Sequence, residues 1–289
     1  MGWTAWTQPQ DFQHLEHIIY EKKHHEELGG GIARLTMNRP DIFNAFSGQT
    51  IEEFAQALKD AEEDVFIAAI IVAGAGGHFS SGGDVNWEAE ASFGESVGAE
   101  PELNRLVRVC PKVVIAAVEG YSIGGGNHLA YTCDITIAAD TAIFGHNGAR
   151  VGSPHHGYTV ALAALTIGMK RAKEMHFFCP RYTAQEAYDL GMVNKVVPAK
   201  ELENEVDRWC EQLMTMSPTC VQLRKRSFNA LMDMMRAFTG PHGEMLQRFA
   251  PDFLESEERQ ECLQAFTEMR TPRTYAVYAA EQQRKKVHQ

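Results

Sequence analysis

Two kinds of hydrophobic pattern alternate along the first half of the chain. Residues 32–37 alternate apolar and polar side chains with a period of two, which predicts a half-buried strand paired as a hairpin with a strand over residues 17–27. Residues 67–72 and 112–119 contain nearly continuous apolar runs, as strands covered on both faces require. Apolar side chains at helical spacing predict a helix over residues 49–62.

The same pattern continues toward the C-terminus, with glycine-rich turns between the segments. It predicts helices over residues 101–109 and 127–133, a strand over residues 134–139 and mostly helical chain from residue 183. Residues 88–100 are acidic and small, and we expect a mobile segment there. Strands that alternate with helices predict an α/β core with parallel crossings.

This pattern suggests three parts in the chain. We expect an N-terminal arm over residues 1–16, a core domain over residues 17–215 and a C-terminal helical region over residues 216–289. A length of 289 residues, of which 44% are hydrophobic, is enough to bury a large core and excludes a disordered chain.

Composition narrows the classes of partner. The chain carries 27 Lys and Arg against 38 Asp and Glu, a formal charge of −11, which argues against broad binding to nucleic acid or to anionic membranes. No apolar run approaches the roughly 18 residues that a membrane span needs, and no secretory signal is visible at the N-terminus. The six cysteines form no CxxC pair, so we expect reduced thiols and a cytoplasmic location.

Two glycine-rich loops, residues 73–84 and 120–126, each follow a buried strand and precede a helix. Glycine lets the backbone approach a ligand closely, and N–H groups at a helix N-terminus stabilise anions. The two loops could therefore donate two N–H groups to one oxygen, as an oxyanion hole does. Tight packing at strand–helix turns is the alternative. Neither a GxxxxGK[ST] nor a complete GxGxxG motif is present.

Histidines concentrate in a third loop, residues 144–158, which contains His146, His155 and His156 beside Ser153. Histidine is the usual general acid or base near neutral pH. We expect no metal, because the spacing matches no known ligand pattern and the segment contains no carboxylate. A serine nucleophile lacks its GxSxG motif, and a structural role for each histidine stays open. We assign only structural roles to five histidines in polar stretches, namely His14, His17, His24, His25 and His288.

The glycine-rich loops belong to a set of longer motifs that are distributed over nearly the whole chain. They are Asn38-Arg39-Pro40-x-x-x-Asn44-Ala45-Phe46, Phe79-Ser80-Ser81-Gly82-Gly83-Asp84, Gly120-Tyr121-Ser122-Ile123-Gly124-Gly125-Gly126, Cys133-Asp134-Ile135-Thr136-Ile137-Ala138-Ala139-Asp140 and Tyr182-Thr183-Ala184-Gln185-Glu186-Ala187-x-x-Leu190-Gly191-Met192-Val193-Asn194. In order and spacing, residues 17–275 resemble the crotonase (enoyl-CoA hydratase/isomerase) superfamily.

The resemblance implies a fold and a shared chemistry. The fold is a spiral of ββα units with a C-terminal helical region, assembled as a homotrimer or homohexamer. The chemistry is that of an acyl-CoA whose thioester oxygen is held by two backbone N–H groups, here those of Gly83 and Gly125. The residues implied in CoA binding are Ile42, Phe43, Ser81, Gly82 and Asp84. No cofactor is implied beyond the coenzyme A of the substrate.

Within the superfamily, the chain does not resemble the hydratases, because the positions of their two catalytic glutamates are His128 and Gly148. Residues 148–158 resemble instead the branch of 2-ketocyclohexanecarboxyl-CoA hydrolase and 1,4-dihydroxy-2-naphthoyl-CoA synthase. Both carry an Asp where this chain has His155. The synthase also uses a C-terminal tyrosine, and none lies at the matching place near Leu254.

These features suggest a hydrolase that opens an alicyclic β-oxoacyl-CoA ring by C–C bond cleavage. His155 is the expected base, with Ser153 orienting it or the substrate, and His128 and His146 are candidate proton donors. A lyase like the naphthoyl-CoA synthase, an atypical enoyl-CoA hydratase and an inactive protein that binds CoA esters are the alternatives.

Overall fold

The computed structural model describes residues 2–90, 93–155, 157–239 and 244–287. Its strands, in chain order, are β1 (Ile18–His24), β2 (Gly31–Met37), β3 (Ile67–Gly74), β4 (Val113–Val118), β5 (Tyr121–Ile123), β6 (Ile135–Ala139), β7 (Ile143–Gly145), β8 (Arg181–Thr183) and β9 (Lys195–Val197). The hairpin, both buried strands and the strand predicted near residue 135 are confirmed.

The strands form two sheets. One sheet has six strands in the order β1-β2-β3-β4-β6-β9, and the other has three in the order β5-β7-β8. In the larger sheet β1 runs antiparallel to β2, and every further neighbour is parallel. In the smaller sheet β5 and β7 are parallel, and β8 is antiparallel to β7. The predicted α/β core with parallel crossings is therefore confirmed.

Helices cover both faces of the larger sheet and continue to the C-terminus. They are α1 (Gly48–Glu63), α2 (Val85–Glu90), α3 (Phe93–Val109), α4 (Gly125–Thr132), α5 (Gly148–Val151), α6 (Tyr158–Ile167), α7 (Met169–Phe178), α8 (Ala184–Asp189), α9 (Leu202–Met214), α10 (Pro218–Thr239), α11 (Glu244–Phe249), α12 (Glu257–Thr267) and α13 (Thr274–Val287). The helix predicted over residues 49–62 is confirmed within one residue at each end.

The core has two layers because β3 and β4 are apolar on both faces. On one side Ile70 of β3 belongs to the cluster that includes Phe54 of α1 and Leu129 of α4. On the other side Ile71 belongs to a smaller cluster with Val206 of α9. Burial on both faces is what the continuous apolar runs indicated, and it fixes the strand ends from which the two glycine loops depart.

The described part of residues 88–100, where we expected a mobile segment, is helical, and mobility there stays a prediction. Helix α2 ends at Glu90 and α3 begins at Phe93, eight residues before the predicted start. The segment contains Glu and Ala, which have high helix propensity, beside Gly94 and Gly98, which lower it, so its composition suits a helix as well as a loop. Further along α3, Leu103 and Val107 are buried in the core and anchor the helix.

The N-terminal arm lies along β1. Trp3 pairs with His25 and Thr7 with Lys22 in isolated antiparallel bridges. Two cations contact the Trp6 indole, with Lys23 Nζ 4.4 Å and the Arg34 guanidinium carbon 4.1 Å from the ring centroid. Cation–π contacts of this kind hold the arm on the sheet.

The C-terminal helices return to the end of the sheet that carries the glycine loops. Helix α12 packs against α5, where a Cβ on Gly152 would lie 3.0 Å from Cys262 Cβ. None of the helices in the described residues is long and apolar enough to cross a membrane. All six cysteines are free thiols in the structure.

Candidate active site

The two glycine-rich loops are bound to each other through their backbones. Ser80 N donates to Tyr121 O (2.8 Å) and Ile123 N donates to Ser80 O (2.9 Å). The approach is so close that a Cβ on Gly126 would collide with Ser80 O. The loops after β3 and β4 therefore form one rigid unit.

Glycine is required at the point of closest approach. Gly82 has a φ of +97°, and a Cβ there would lie 2.7 Å from Gly125 N. A Cβ on Gly83 would collide with Glu88 Oε1. A Cβ on Gly82 would force the two loops apart, whereas the Glu88 side chain is able to move away from one on Gly83. Both tight turn packing and an oxyanion hole are consistent with this close approach.

The backbone N–H groups of Gly83 and Gly125 are available to bind a ligand. Gly125 is the first residue of α4, where N–H groups have no partner within the helix. In the part of the chain that the structure describes, neither of these two N–H groups donates a hydrogen bond to another protein group. Both glycines line the same cavity. An oxyanion hole needs two such N–H groups at one oxygen, and their convergence on a substrate oxygen stays a prediction.

The Asn38-Arg39-Pro40 motif holds the loop in place. Arg39 Nη2 lies 2.9 Å from Asp84 Oδ2, and Arg39 Nη1 donates to Ala45 O at 2.8 Å. Asp84 Oδ1 accepts from Asn86 N at 3.1 Å in the turn that leads into α2. Both carboxylate oxygens of Asp84 thus have protein partners, and a contact between Asp84 and CoA stays a prediction.

A cavity of about 570 Å³ brings the predicted site residues together. All of them except Gly82 line it: Ile42, Phe43, Ser81, Gly83, Asp84, Gly125, His128, His146, Ser153 and His155. Gly82 lies directly behind the wall, against Gly125. His156 lies outside the described residues.

Four histidines cluster at the inner wall of this cavity. The His128 ring lies 4.4 Å from the His146 ring and 4.3 Å from the His155 ring, measured between centroids. His176 stacks on His146 at 4.1 Å with an angle of 21° between the ring planes. His128 and His146 are buried, whereas His176 is half-buried. We call these four residues the histidine cluster.

His155 contacts a threonine hydroxyl. Its Nε2 lies 2.7 Å from Oγ1 of Thr159, a buried residue in the first turn of α6. Ser153 lines the cavity, and in the part of the chain that the structure describes it makes no side-chain hydrogen bond to His155. In the described residues the Thr159 hydroxyl contacts His155. The role of Ser153, orienting either His155 or the substrate, stays a prediction.

Burial and neighbouring charge keep His146 neutral. Desolvation lowers the pKa of His146 well below its ordinary value, and positive charge on His128, His176, His155 and Arg181 would lower this pKa further. Arg181 Nη1 donates to His146 O at 3.0 Å, which ties the end of β7 to β8.

Sequence reasoning missed His176, Thr159 and Glu88. His176 lies on α7, thirty residues beyond His146, and no motif marks it. Thr159 follows His155 by four residues, which was the one available signal, because a loop that leads into a helix brings such positions together. Glu88 lines the cavity beside Gly83 but falls in the segment that we expected to be mobile.

The histidine cluster is also the part of the cavity that is able to hold a metal ion. One ring nitrogen from each of His128, His146 and His176 lies within 4.8 Å of the others. The spacing of histidines along the sequence could not predict this group, because the three residues come from three separate elements of the fold.

Known structures share this fold over most of its length. An enoyl-CoA hydratase from Mycobacterium avium subsp. paratuberculosis K-10 is 28% identical, with a TM-score of 0.74, over 89% of this chain and 97% of that one. A methylmalonyl-CoA decarboxylase in complex with 2-nitronate-propionyl-CoA is 26% identical, with a TM-score of 0.74, over 83% of this chain and 94% of that one. A probable enoyl-CoA hydratase from Mycobacterium thermoresistibile is 31% identical, with a TM-score of 0.64, over 75% and 89%.

The family model described as enoyl-CoA hydratase/isomerase matches residues 27–275. Its match spans the strands from β2 onward, both glycine loops, the histidine cluster and the C-terminal helices up to the start of α13. The crotonase-like fold expected from the motifs is thereby confirmed. The chain belongs to the enoyl-CoA hydratase/isomerase (crotonase) family, whose enzymes act on CoA thioesters.

Proposed function

We propose that the protein opens the ring of a cyclic β-oxoacyl-CoA by hydrolysis of a C–C bond. The observation that carries this proposal is the content of one cavity: two available N–H groups, from Gly83 and Gly125, and several imidazoles, among them that of His128. His128 occupies one hydratase glutamate position, and Gly148 at the other has no side chain. Hydration by two carboxylates therefore has no support at these two positions.

The reaction adds one water and breaks one bond. Water attacks the ring ketone, loses a proton to a base and forms a C–O bond. The C–C bond between that carbon and the α-carbon then breaks, and its electron pair moves into the thioester as an enolate. The N–H groups of Gly83 and Gly125 stabilise the enolate oxygen, and the α-carbon takes up a proton. The product is an open-chain acyl-CoA with a free carboxylate.

His155 is our candidate for the base. A histidine can accept a proton from water and return one within a single turnover. The Thr159 hydroxyl at 2.7 Å from Nε2 fixes the orientation of the His155 ring. His128 and His146 stay candidates for the proton donor, and Ser153 for a contact with the substrate.

Exposed apolar residues at the mouth of the cavity are available to bind the acyl-CoA. Ile42 is 39% exposed and Phe43 is 45% exposed, and Ser81 lies beside them on the cavity wall. The chain is acidic overall, and CoA is itself an anion. Binding therefore rests on backbone N–H groups and local contacts rather than on net charge.

The test is the variant His155→Ala, assayed with cyclic β-oxoacyl-CoA substrates. Turnover falls about 10²–10⁴-fold, as expected for loss of a general base, while binding of the CoA ester persists. His14→Ala, at an exposed histidine far from the cavity in sequence, is the matched control and retains full turnover. Near-wild-type turnover by His155→Ala would refute the assignment of the base.

Hydratase activity is the second candidate, because two of the similar structures above are of enoyl-CoA hydratases. Ring opening and hydration add the same mass, but only ring opening forms a free carboxylate, which titration or derivatisation of the product detects. A naphthoyl-CoA synthase-like lyase would give no mass gain from water. Binding of CoA esters without turnover of any substrate would favour an inactive binding protein.

Homotrimer or homohexamer assembly and a cytoplasmic location remain part of this proposal. They follow from the resemblance and from the cysteine pattern. Analytical ultracentrifugation of the purified chain checks the assembly, and a monomer at working concentration would contradict it.

A further inference from the structure

We propose that His128, His146 and His176 form a binding site for a divalent transition-metal ion, with Zn²⁺ as the preferred occupant. The inference goes beyond the proposed reaction and does not depend on it; with an ion bound, His128 and His146 would be its ligands and would no longer be candidate proton donors. It revises the expectation of no metal, which rested on sequence spacing alone.

The first support is the convergence of three ligand-type atoms. His128 comes from α4, His146 from the residue after β7 and His176 from α7, and one ring nitrogen of each lies within 4.8 Å of the other two. Three imidazoles with an open fourth position form a known type of zinc site. Imidazole is also a preferred ligand for zinc, copper and nickel, whereas magnesium and calcium prefer oxygen.

The second support is the buried amide of Asn127 beside the cluster. Asn127 Nδ2 lies 3.3 Å from His146 Nε2, while in the described residues Asn127 Oδ1 is buried and makes no hydrogen bond. With the amide turned over, Oδ1 accepts from His146 Nε2–H and the Nδ1 lone pair of His146 is left for a ligand. A hydrogen bond from the second ring nitrogen is what orients metal-binding histidines.

The third support is the space beside His176. The rings of His146 and His176 are stacked, with 21° between their planes, so a shared ion requires one ring to rotate. His176 is half-buried and borders the cavity of about 570 Å³, which gives its ring room to turn. Zn–N bonds of about 2.0–2.1 Å require the three nitrogens to lie closer together than 4.8 Å, and rotation of the His176 ring is the movement that we propose brings them together.

An ion at this position would face the substrate cavity. The three histidines line the same cavity as Gly125, so its open coordination position would be accessible to water and to an acyl group. A bound divalent ion polarises a carbonyl or lowers the pKa of a bound water. The site would therefore place an electrophile at the inner wall of the cavity that also contains Gly83 and Gly125.

The experiment measures binding, not activity. The tag-free full chain is stripped with a chelator and titrated with CoCl₂, whose visible d–d absorption reports coordination by nitrogen ligands. We expect saturation at one equivalent per chain and loss of the spectrum when ZnCl₂ is added. The absence of any cobalt spectrum in the wild-type protein would overturn the proposal.

Variants distinguish this site from adventitious binding. His176→Gln, at a half-buried position, weakens binding by at least the roughly 10–100-fold that follows loss of a second-shell partner. His24→Gln, at an exposed histidine outside the cluster, binds like the wild type. Thermal unfolding of both variants confirms that they are folded. Equal affinity in His176→Gln and the wild type would mean surface binding and would refute the site.

Because this experiment measures metal binding, a result that refutes the metal site is distinguishable from a result that refutes the proposed ring-opening reaction. A protein that opens the ring and binds no cobalt would retain the first proposal and refute the second. A protein that binds one cobalt but opens no ring would do the reverse.

Discussion

Thr159 holds His155 through a contact of 2.7 Å between the threonine Oγ1 and the imidazole Nε2. The threonine is itself fixed, because Tyr131 donates its hydroxyl proton to the Thr159 carbonyl at 3.0 Å. Hydrogen bonds thus connect Tyr131 through Thr159 to His155, the candidate base.

The variant Thr159→Val removes this contact while keeping the side-chain shape. We expect turnover to fall about 10–100-fold with little change in KM, because the base is misplaced but the acyl-CoA still binds. Thr159→Ser restores the hydroxyl and most of the turnover. Steady-state kinetics of both variants decides the point, and an equal loss in Thr159→Ser would show that the effect comes from packing instead.

Gly82 and Gly77 offer a matched pair of glycine-to-alanine variants. Both have positive φ, of +97° and +76°, but a Cβ on Gly77 meets nothing within 4 Å, whereas one on Gly82 meets Gly125 N. Gly77→Ala should cost about 1–2 kcal/mol of unfolding free energy and preserve turnover. Gly82→Ala should cost more and lower turnover by about 10²–10³-fold, as loss of an oxyanion-hole donor does.

Chemical denaturation and a turnover assay compare these two proteins. Equal turnover in both would mean that displacement of the Gly125 N–H has no consequence for the reaction.

The ion pair between Arg39 and Asp84 should contribute to stability more than a surface pair. Their side chains are only 21% and 12% exposed, at a separation of 2.9 Å. Asp84→Asn leaves the guanidinium without its charged partner, and we expect a loss of about 1–3 kcal/mol in unfolding free energy. Glu63→Gln breaks the exposed pair with Lys59 and should change stability by less than about 0.5 kcal/mol.

Urea unfolding of the two variants measures the difference. If Asp84→Asn were as stable as Glu63→Gln, the Asn38-Arg39-Pro40 motif would need a role other than loop fixation.

Stability at alkaline pH should depend on Tyr20. Its hydroxyl donates to Asp60 Oδ2 at 2.7 Å, and burial, with help from the Asp60 carboxylate, raises the pKa of Tyr20 above its ordinary value of 10.0. The folded state therefore keeps this proton at a pH where the unfolded chain releases it. The contribution is fully present below about pH 10 and is lost above it, at about 1.4 kcal/mol per pH unit.

The variant Tyr20→Phe tests the sign of this effect. Below pH 10 it should be less stable than the wild type by about 1–3 kcal/mol, through loss of a hydrogen bond to a charged group. Above about pH 10 the difference should shrink, because only the wild type loses the tyrosine contribution. Urea unfolding near pH 9 and near pH 11 measures it, and a difference that grows with pH would contradict the assigned direction.

The sequence predicted five of the six strands of the larger sheet, because their signals are local, and missed β9 and the three strands of the smaller sheet. The apolar runs of β3 and β4 and the alternation of β2 depend on neighbouring residues, and burial preserved them. The glycine loops were located for a similar reason, since few residues other than glycine tolerate the φ of Gly82.

Long-range relations could not be predicted in the same way. His176 reaches His146 only through the packing of α7 against the end of β7, and no spacing rule connects positions thirty residues apart. Residues 93–100 misled us because small and acidic residues suit both loops and helices, and the buried Leu103 and Val107 that anchor α3 lie beyond that segment.

The pairing of the N-terminal arm with β1 has a consequence for the larger sheet. A free strand edge presents a row of unpaired N–H and C=O groups to which another chain is able to add. Lys22 at the edge exchanges backbone hydrogen bonds with Thr7, and the His24 carbonyl accepts from Thr4 N at 2.8 Å. By occupying these groups within its own chain, the arm protects the first strand of the sheet from edge-to-edge aggregation.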